Sequence, residues 1–332
     1  MRDARNRPMA NVLILGGTGW LGSRVAERWL DRGARVTCLA RGHRPAPEGA
    51  HLVTADRTAP GAYDAVADQE WDEVVDVSSD AASVASAVAA LAAHTRHWTY
   101  VSTISVYADS DGAGDDESAP VVGPGTDGES DYAHEKSAAE ALVRTALGHR
   151  AAIVRPGLIA GPGDPTDRFG YWVSRFALAG DGPVLVPDTE DKGVAVIDVD
   201  DLADFIVALG DARWTGVVNA VGDPHSLADV LAQAREVAGH TGEVVAASDE
   251  WLADHAVAHW SGPRSLPLTL PPRHRGSWSR SNTAYKILGG RLRPLRSTLE
   301  RTLDAEREAG LDRDRVSGMT RQEEISLLSA IE

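Results

Sequence analysis

The 332-residue chain is 43% apolar and 25% charged, enough to bury one large core or two modest ones. Its 33 Lys+Arg against 49 Asp+Glu leave a formal charge of −16, which argues against nucleic acid or an anionic membrane as partner. The single cysteine, Cys38, excludes an intramolecular disulfide and Cys-based metal clusters, and no apolar run approaches the roughly 18 to 20 residues of a membrane span.

The polar start MRDARNRPMA lacks the apolar segment of a secretory signal, so residues 1–10 are expected to be a disordered extension of a cytoplasmic protein. From Asn11 onward, strand and helix patterns alternate. Asn11–Leu15 is almost wholly apolar, the text of a strand covered on both faces. Trp20–Arg32 follows with Leu21, Val25 and Trp29 on one helical stripe, and Gly33 suits the position past its end. Further strands are predicted at Arg35–Ala40, His51–Ala55, Val74–Ser78, Trp98–Ser102 and Ala151–Arg155, with helices at Ala81–Ala93 and Asp131–Leu147. This alternation predicts an α/β fold, a doubly wound parallel sheet of the Rossmann kind over residues 11–160.

Beyond Gly157 the apolar runs shorten, as at Val184–Val186 and Val217–Ala220, between helical stretches at Asp200–Gly210 and Leu227–Ala238. We assign 161–192 and 222–332 to a smaller, interleaved C-terminal substrate region, with later elements of the main sheet around 193–221. Thr320-x-x-Glu323 ahead of Ile325, Leu327 and Leu328 is a capping box that opens a terminal helix. Ala108–Asp131 holds eight carboxylates and no Lys or Arg, and is expected to be a mobile surface loop, either solvated filler or a lid.

The strand Asn11–Leu15 runs into Gly16-Gly17-Thr18-Gly19-Trp20-Leu21-Gly22 and then a helix. Glycines at this spacing allow a tight turn, close approach of the backbone to a pyrophosphate and packing of the helix on the strand, so these seven residues are candidate dinucleotide ligands. The second strand ends at Ala40, where a carboxylate would bond the ribose of NAD, and Arg41 and Arg44 follow. A missing carboxylate and an available guanidinium favour the 2′-phosphate of NADP over NAD. Asp56 and Ser78, ending the next two strand runs, are further cofactor candidates.

Tyr132 and Lys136 stand at i, i+4 on a helix, where a cation beside a phenol would favour the phenolate. Upstream, Val101-Ser102-Thr103-Ile104-Ser105-Val106-Tyr107 supplies hydroxyls at the carboxyl end of a strand. His94/His97 and His255/His259 have turn spacing without supporting ligands, so no metal is expected. Cys38 reads as a small buried hydrophobe.

The glycine turn, V-S-T-I-S-V-Y, Y-x-x-x-K, and Arg155-Pro156-Gly157 continuing to Gly161-Pro162-Gly163-Asp164 resemble, in that order, the extended short-chain dehydrogenase/reductase family, whose members include nucleotide-sugar epimerases and dihydroflavonol-reductase-like enzymes. Val196–Ala203 and Lys286–Gly289 extend the resemblance over most of the chain. It implies Tyr132 as proton donor, Lys136 as its tuner and a ribose ligand, Thr103 as second hydroxyl on the substrate oxygen, and Pro156 and Gly157 beside the nicotinamide. Ile104-Ser105 stands where sugar 4,6-dehydratases carry Asp-Glu, which disfavours that activity.

The expected function is therefore NADPH-dependent reduction of a small-molecule ketone or aldehyde. A neutral, largely apolar substrate, natural-product-like or aromatic, is expected, because the acidic segment would repel a diphosphate and the stretch Trp251–Trp278 would supply an apolar wall. Arg264, Arg273, Arg275 and Arg280 are the counter-indication, as candidate phosphate clamps. The rival readings are a nucleotide-sugar epimerase with tightly held NAD and a non-catalytic dinucleotide sensor; a homodimer is the commonest assembly.

Overall fold

A computed structural model describes residues 9–123, 131–270 and 276–331. Residues 1–8, with most of the expected N-terminal extension, lie outside them, as do Asp127, Glu129, Arg273 and Arg275. The first half reads β1 (Asn11–Leu15), α1 (Trp20–Asp31), β2 (Arg35–Ala40), β3 (His51–Thr54), β4 (Glu73–Asp76), α2 (Ala81–Leu91), β5 (Trp98–Val101), α3 (Tyr132–Leu147) and β6 (Ala151–Pro156). There follow β7 (Leu158–Ala160), α4 (Gly170–Ala179), β8 (Val184–Pro187), β9 (Gly193–Asp198), α5 (Val199–Ala212), β10 (Gly216–Ala220), β11 (Pro224–Ser226), α6 (Leu227–Ala238) and β12 (Val244–Ala247). Last come α7 (Asp249–Asp254), β13 (Ala258–Trp260), β14 (Ser265–Pro267), α8 (Thr283–Ile287), α9 (Leu295–Ala309) and α10 (Arg321–Ile331).

Seven parallel strands form the main sheet in the order β10-β6-β5-β4-β1-β2-β3, the doubly wound arrangement the alternation predicts. Its central strands are buried on both faces because α1 and α5 cover one side and α2 and α3 the other. Val25 and Trp29 of α1 pack with Leu202 and Ile206 of α5. Val84 and Leu91 of α2 meet Ala139 and Val143 of α3. The predicted strands end one or two residues early at β3, β4 and β5, so Ser78 and Ser102 stand on the turns past their strands, facing the sheet's carboxyl edge.

A second core gathers Phe169, Trp172 and Phe176 of the α4 region with Leu227 and Leu231 of α6, Leu299 and Leu303 of α9, and Leu327 of α10. It sits on the small sheet β11-β9-β7 and the pair β12-β8. The terminal capping box forms as its sequence requires: Thr320 N donates to Glu323 Oε2 at 2.8 Å and Glu323 N to Thr320 Oγ1 at 3.2 Å. Among the described residues no helix is long and apolar enough to cross a membrane.

The acidic segment departs from the expected mobile loop. Its described part, residues 108–123, is tied to residues 276–282: Gly114 N donates to Ser279 O at 3.0 Å, Ser281 N to Asp115 O at 3.0 Å, and Arg280 Nη1 to Asp115 Oδ2 at 2.9 Å. Glu117 Oε1 receives Asn219 N at 2.7 Å. Asp115 and Glu117, which look unpaired in the sequence, are here partners for distant donors, while Asp109 and Asp116 accept from residues two positions on.

Candidate active site

The carboxyl ends of β1 and β4, where the order of the sheet reverses, open onto two adjoining clefts that share Gly19 and Val77. The larger, about 680 Å³, runs from Gly16, Thr18 and Gly19 past Ala40 and Arg41 to Asp56 and Ser78. The other, about 400 Å³, holds Trp20, Leu21 and Gly22 on one wall and Thr103, Tyr132 and Lys136 on another. Pro156 and Gly157 close its floor. The candidate residues other than Gly17 therefore line one continuous groove, and Gly17 is buried in the turn beneath it.

The glycine turn is built for close backbone approach. Gly16 has φ +92°, and a Cβ on Gly17 would stand 2.5 Å from Cys38 Sγ. A Cβ on Gly22 would stand 2.2 Å from Gly16 O, so α1 can pack on the turn only with glycine there. No side chain caps α1, and Trp20, Leu21 and Gly22 of its first turn line the smaller cleft, where a helix N-terminus favours an anion. The hydroxyl of Ser102, 2% exposed, has no partner among the described residues. An uncapped helix, a cradle a Cβ would fill and an orphaned hydroxyl all fit a dinucleotide. Cys38 is fully buried, which pushes its thiol up to about 11.

At the end of the larger cleft beside β2 and β3, Arg41, His43 and Arg44 are exposed. Asp56 Oδ1 accepts from Thr58 N at 3.0 Å and Thr58 Oγ1 at 2.8 Å, which holds its carboxyl below the ordinary range. Sequence reasoning missed Arg57, which reaches from β3's end to Asp76 with a bidentate pair at 2.9 and 2.8 Å. Asp76 Oδ1 also accepts from Ser78 N at 2.9 Å, so this pair shapes the turn that carries Ser78.

Asp131 caps α3, accepting from Ala133 N at 3.0 Å and His134 N at 3.1 Å, and so sets Tyr132 at the first helical position. Tyr132 is 53% exposed at the cleft mouth. Partial desolvation raises its phenol pKa, while the Thr103 hydroxyl and the Arg168 guanidinium favour the ionised form. Lys136, one turn on, is 3% exposed and donates to Ser78 O at 2.8 Å and Val101 O at 2.6 Å. Burial lowers its ammonium to about 8, against the pull of Asp76 and Glu140. The cation opposing Tyr132's raised pKa is thus Arg168, which no motif in the sequence singles out.

Two substrate-side expectations are corrected. Arg280 is no free phosphate clamp: it is 5% exposed, paired with Asp115, and lies 4.3 Å over the Tyr107 ring. None of the described residues of the Trp251–Trp278 stretch lines the cleft. Trp251 stacks on His255 at 3.8 Å, Trp278 covers Gly193, and Trp260 lies under Arg168. A long-range contact binds the two halves of the groove: Trp20 Nε1 donates to Pro162 O at 2.8 Å.

Residues 12–220 match the model of the NAD dependent epimerase/dehydratase family. No curated protein gives a significant match. Among solved structures, a Burkholderia cenocepacia protein provisionally assigned as an epimerase is 23% identical, covers 91% of this chain and 100% of its own, and superposes with a TM-score of 0.72. The UDP-glucose 4-epimerase of Thermus thermophilus, solved with NAD, is 20% identical over 90% of this chain and 100% of its own, at a TM-score of 0.65. The UDP-glucuronic acid 4-epimerase of Bacillus cereus, also solved with NAD, is 16% identical over 90% and 99%, at 0.66.

Proposed function

Because the chain belongs to the NAD dependent epimerase/dehydratase family, we propose that it is a nicotinamide-dinucleotide-dependent oxidoreductase acting on a carbonyl or carbinol carbon, favouring NADPH and working as a carbonyl reductase. The observation that carries this reading is the convergence of Thr103, Tyr132 and Lys136 on a cleft continuous with the glycine turn. Bound there, the nicotinamide would supply the hydride. Tyr132, with its raised pKa, holds a proton on Oη at neutral pH and gives it to the oxygen of the carbonyl as that oxygen becomes an alkoxide. Thr103 Oγ1 hydrogen-bonds the same oxygen. Lys136 spends two of its three N–H groups on Ser78 O and Val101 O, leaving one to bind a ribose hydroxyl.

NADPH is favoured because Ala40 ends β2 without a carboxylate and Arg41 and Arg44 stand exposed beside it. The second reading, an epimerase with tightly held NAD, is supported by the family's description and by the NAD complexes among the similar structures. Nucleotide released from the purified protein, together with NADPH and NADH titrations of wild type and Arg41→Ala, separates the two. Reductase chemistry predicts exchangeable NADPH, roughly 10- to 150-fold weaker NADPH binding in Arg41→Ala, and little change for NADH. Stoichiometric NAD that survives purification and does not exchange would instead establish the epimerase.

A further inference from the structure

The wall of the smaller cleft facing Tyr132 carries a cation that bears on the Tyr132 phenol without exchanging a proton itself. Arg168 ends the turn Gly161-Pro162-Gly163-Asp164-Pro165-Thr166-Asp167-Arg168, which leads from β7 to α4. A relay of side chains aims it. Buried Asp164 accepts from Thr166 N at 2.8 Å and from Thr166 Oγ1 at 2.8 Å, and the same Oγ1 accepts from Arg168 Nε at 3.1 Å. The preceding residue, Asp167, is buried at φ +59°, a conformation that costs a non-glycine residue energy. It is held there by Val316 N, 2.7 Å from Oδ2, and by Arg313 on Oδ1. The guanidinium itself lies 4.7 Å over the Trp260 ring.

What sets Arg168 apart is its missing partner. Among the described residues no carboxylate oxygen lies within 4 Å of it, and its terminal nitrogens donate no hydrogen bond. Arg57, Arg155, Arg280 and Arg293 each have a carboxylate, Asp76 at 2.8 Å, Glu140 at 2.6 Å, Asp115 at 2.9 Å and Asp201 at 2.7 Å, and Arg150 and Arg235, which have none among the described residues, donate terminal nitrogens to backbone carbonyls instead. Asp164 acts on the guanidinium only from beyond Thr166, and a half-buried guanidinium with no carboxylate in direct contact costs desolvation energy that an arriving oxyanion offsets. Its free Nη1–Nη2 fork suits the two oxygens of a carboxylate or phosphate.

We propose that Arg168 receives an oxyanion carried by the substrate, which makes the substrate an anionic carbonyl compound and not the neutral, apolar one that the sequence suggests. This rests on the assignment of the cleft to Tyr132 chemistry. Because Arg168 and Tyr132 line the same cleft of about 400 Å³, the oxyanion lies within one small molecule's length of the reacting carbon.

The test is calorimetric titration of the NADP+-saturated protein with benzoate, phenyl phosphate and neutral benzamide. Wild type is compared with Arg168→Gln, Arg168→Lys and Thr166→Val. The expected result is at least 10-fold weaker binding of the preferred anion to Arg168→Gln and partial recovery in Arg168→Lys. Thr166→Val, which releases Nε and also withdraws the hydroxyl's hydrogen bond from Asp164, should show a several-fold loss, and benzamide should bind all four proteins alike. Whether benzoate or phenyl phosphate binds wild type better identifies the source of the oxyanion. Equal anion affinity in wild type and Arg168→Gln, or no preference of wild type for either anion over benzamide, overturns the proposal. Unchanged NADP+ affinity reports that each variant is folded. Absence of NADP+ binding to wild type would refute the cofactor reading alone, and the same anion titrations on the free protein would still decide the role of Arg168.

Discussion

Gly22→Ala should separate the packing of the glycine turn from its service to the cofactor. The added Cβ would stand 2.2 Å from Gly16 O, 2.9 Å from Gly16 C and 3.1 Å from Gly17 Cα. All three are backbone atoms, so no rotamer change can relieve the clash. An ordinary contact near 3.4 Å requires the turn or the start of α1 to move by about 1 Å, and overpacking of that size costs about 1 to 3 kcal/mol. The free protein should therefore melt a few degrees lower and remain folded. Cofactor binding should suffer more, because the displaced atoms are the amides that would meet the pyrophosphate. We expect NADPH affinity to fall by 10-fold or more by calorimetry, with the melting temperature followed in parallel. An NADPH affinity within twofold of wild type would refute the assignment of the turn as the phosphate cradle, whatever happens to stability.

Tyr132→Phe should lower turnover by about 100-fold or more while leaving NADPH affinity nearly intact; near-normal kcat with any accepted ketone would mean that the proton comes from elsewhere. Glu140→Gln strands the buried Arg155, whose Nε and Nη2 bond Glu140 at 2.9 and 2.6 Å, and should cost about 3 to 5 kcal/mol in urea unfolding, whereas a loss under about 1 kcal/mol would show the pair to be dispensable. Lys136 titrates at about 8 in the folded protein against an ordinary 10.5, so between those values the unfolded chain binds more protons and this residue's contribution to stability rises with pH. The stability difference between wild type and Lys136→Met should shift in favour of wild type across that window, and a flat difference from pH 7 to 10 would contradict the buried ammonium.

Features set by neighbours in the chain are legible in the sequence itself. A short apolar run such as Val12–Leu15 that ends in glycines reads as a strand buried on both faces, and the glycine spacing after it is dictated by atoms a few residues apart. Asp131, Tyr132 and Lys136 share one helix start, so their relation follows from helix geometry alone. What the sequence hides depends on partners far along the chain. Whether Asp115 and Glu117 stand free or are paired is decided by Arg280 and Asn219, more than 100 residues on. Helical spacing sets Lys136 toward Tyr132, yet the carbonyls of Ser78 and Val101 capture its ammonium once α3 packs on the sheet. Arg168 looks in the sequence like one more charged residue of a polar turn. Only burial of the second core brings Val316 and Arg313 against Asp167 and Trp260 beneath the guanidinium, and only then does it become visible that no carboxylate among the described residues meets it. Backbone sterics and periodicity act over a few residues and are written locally, whereas the pairing of a charge is settled by which groups lose water together when the chain closes.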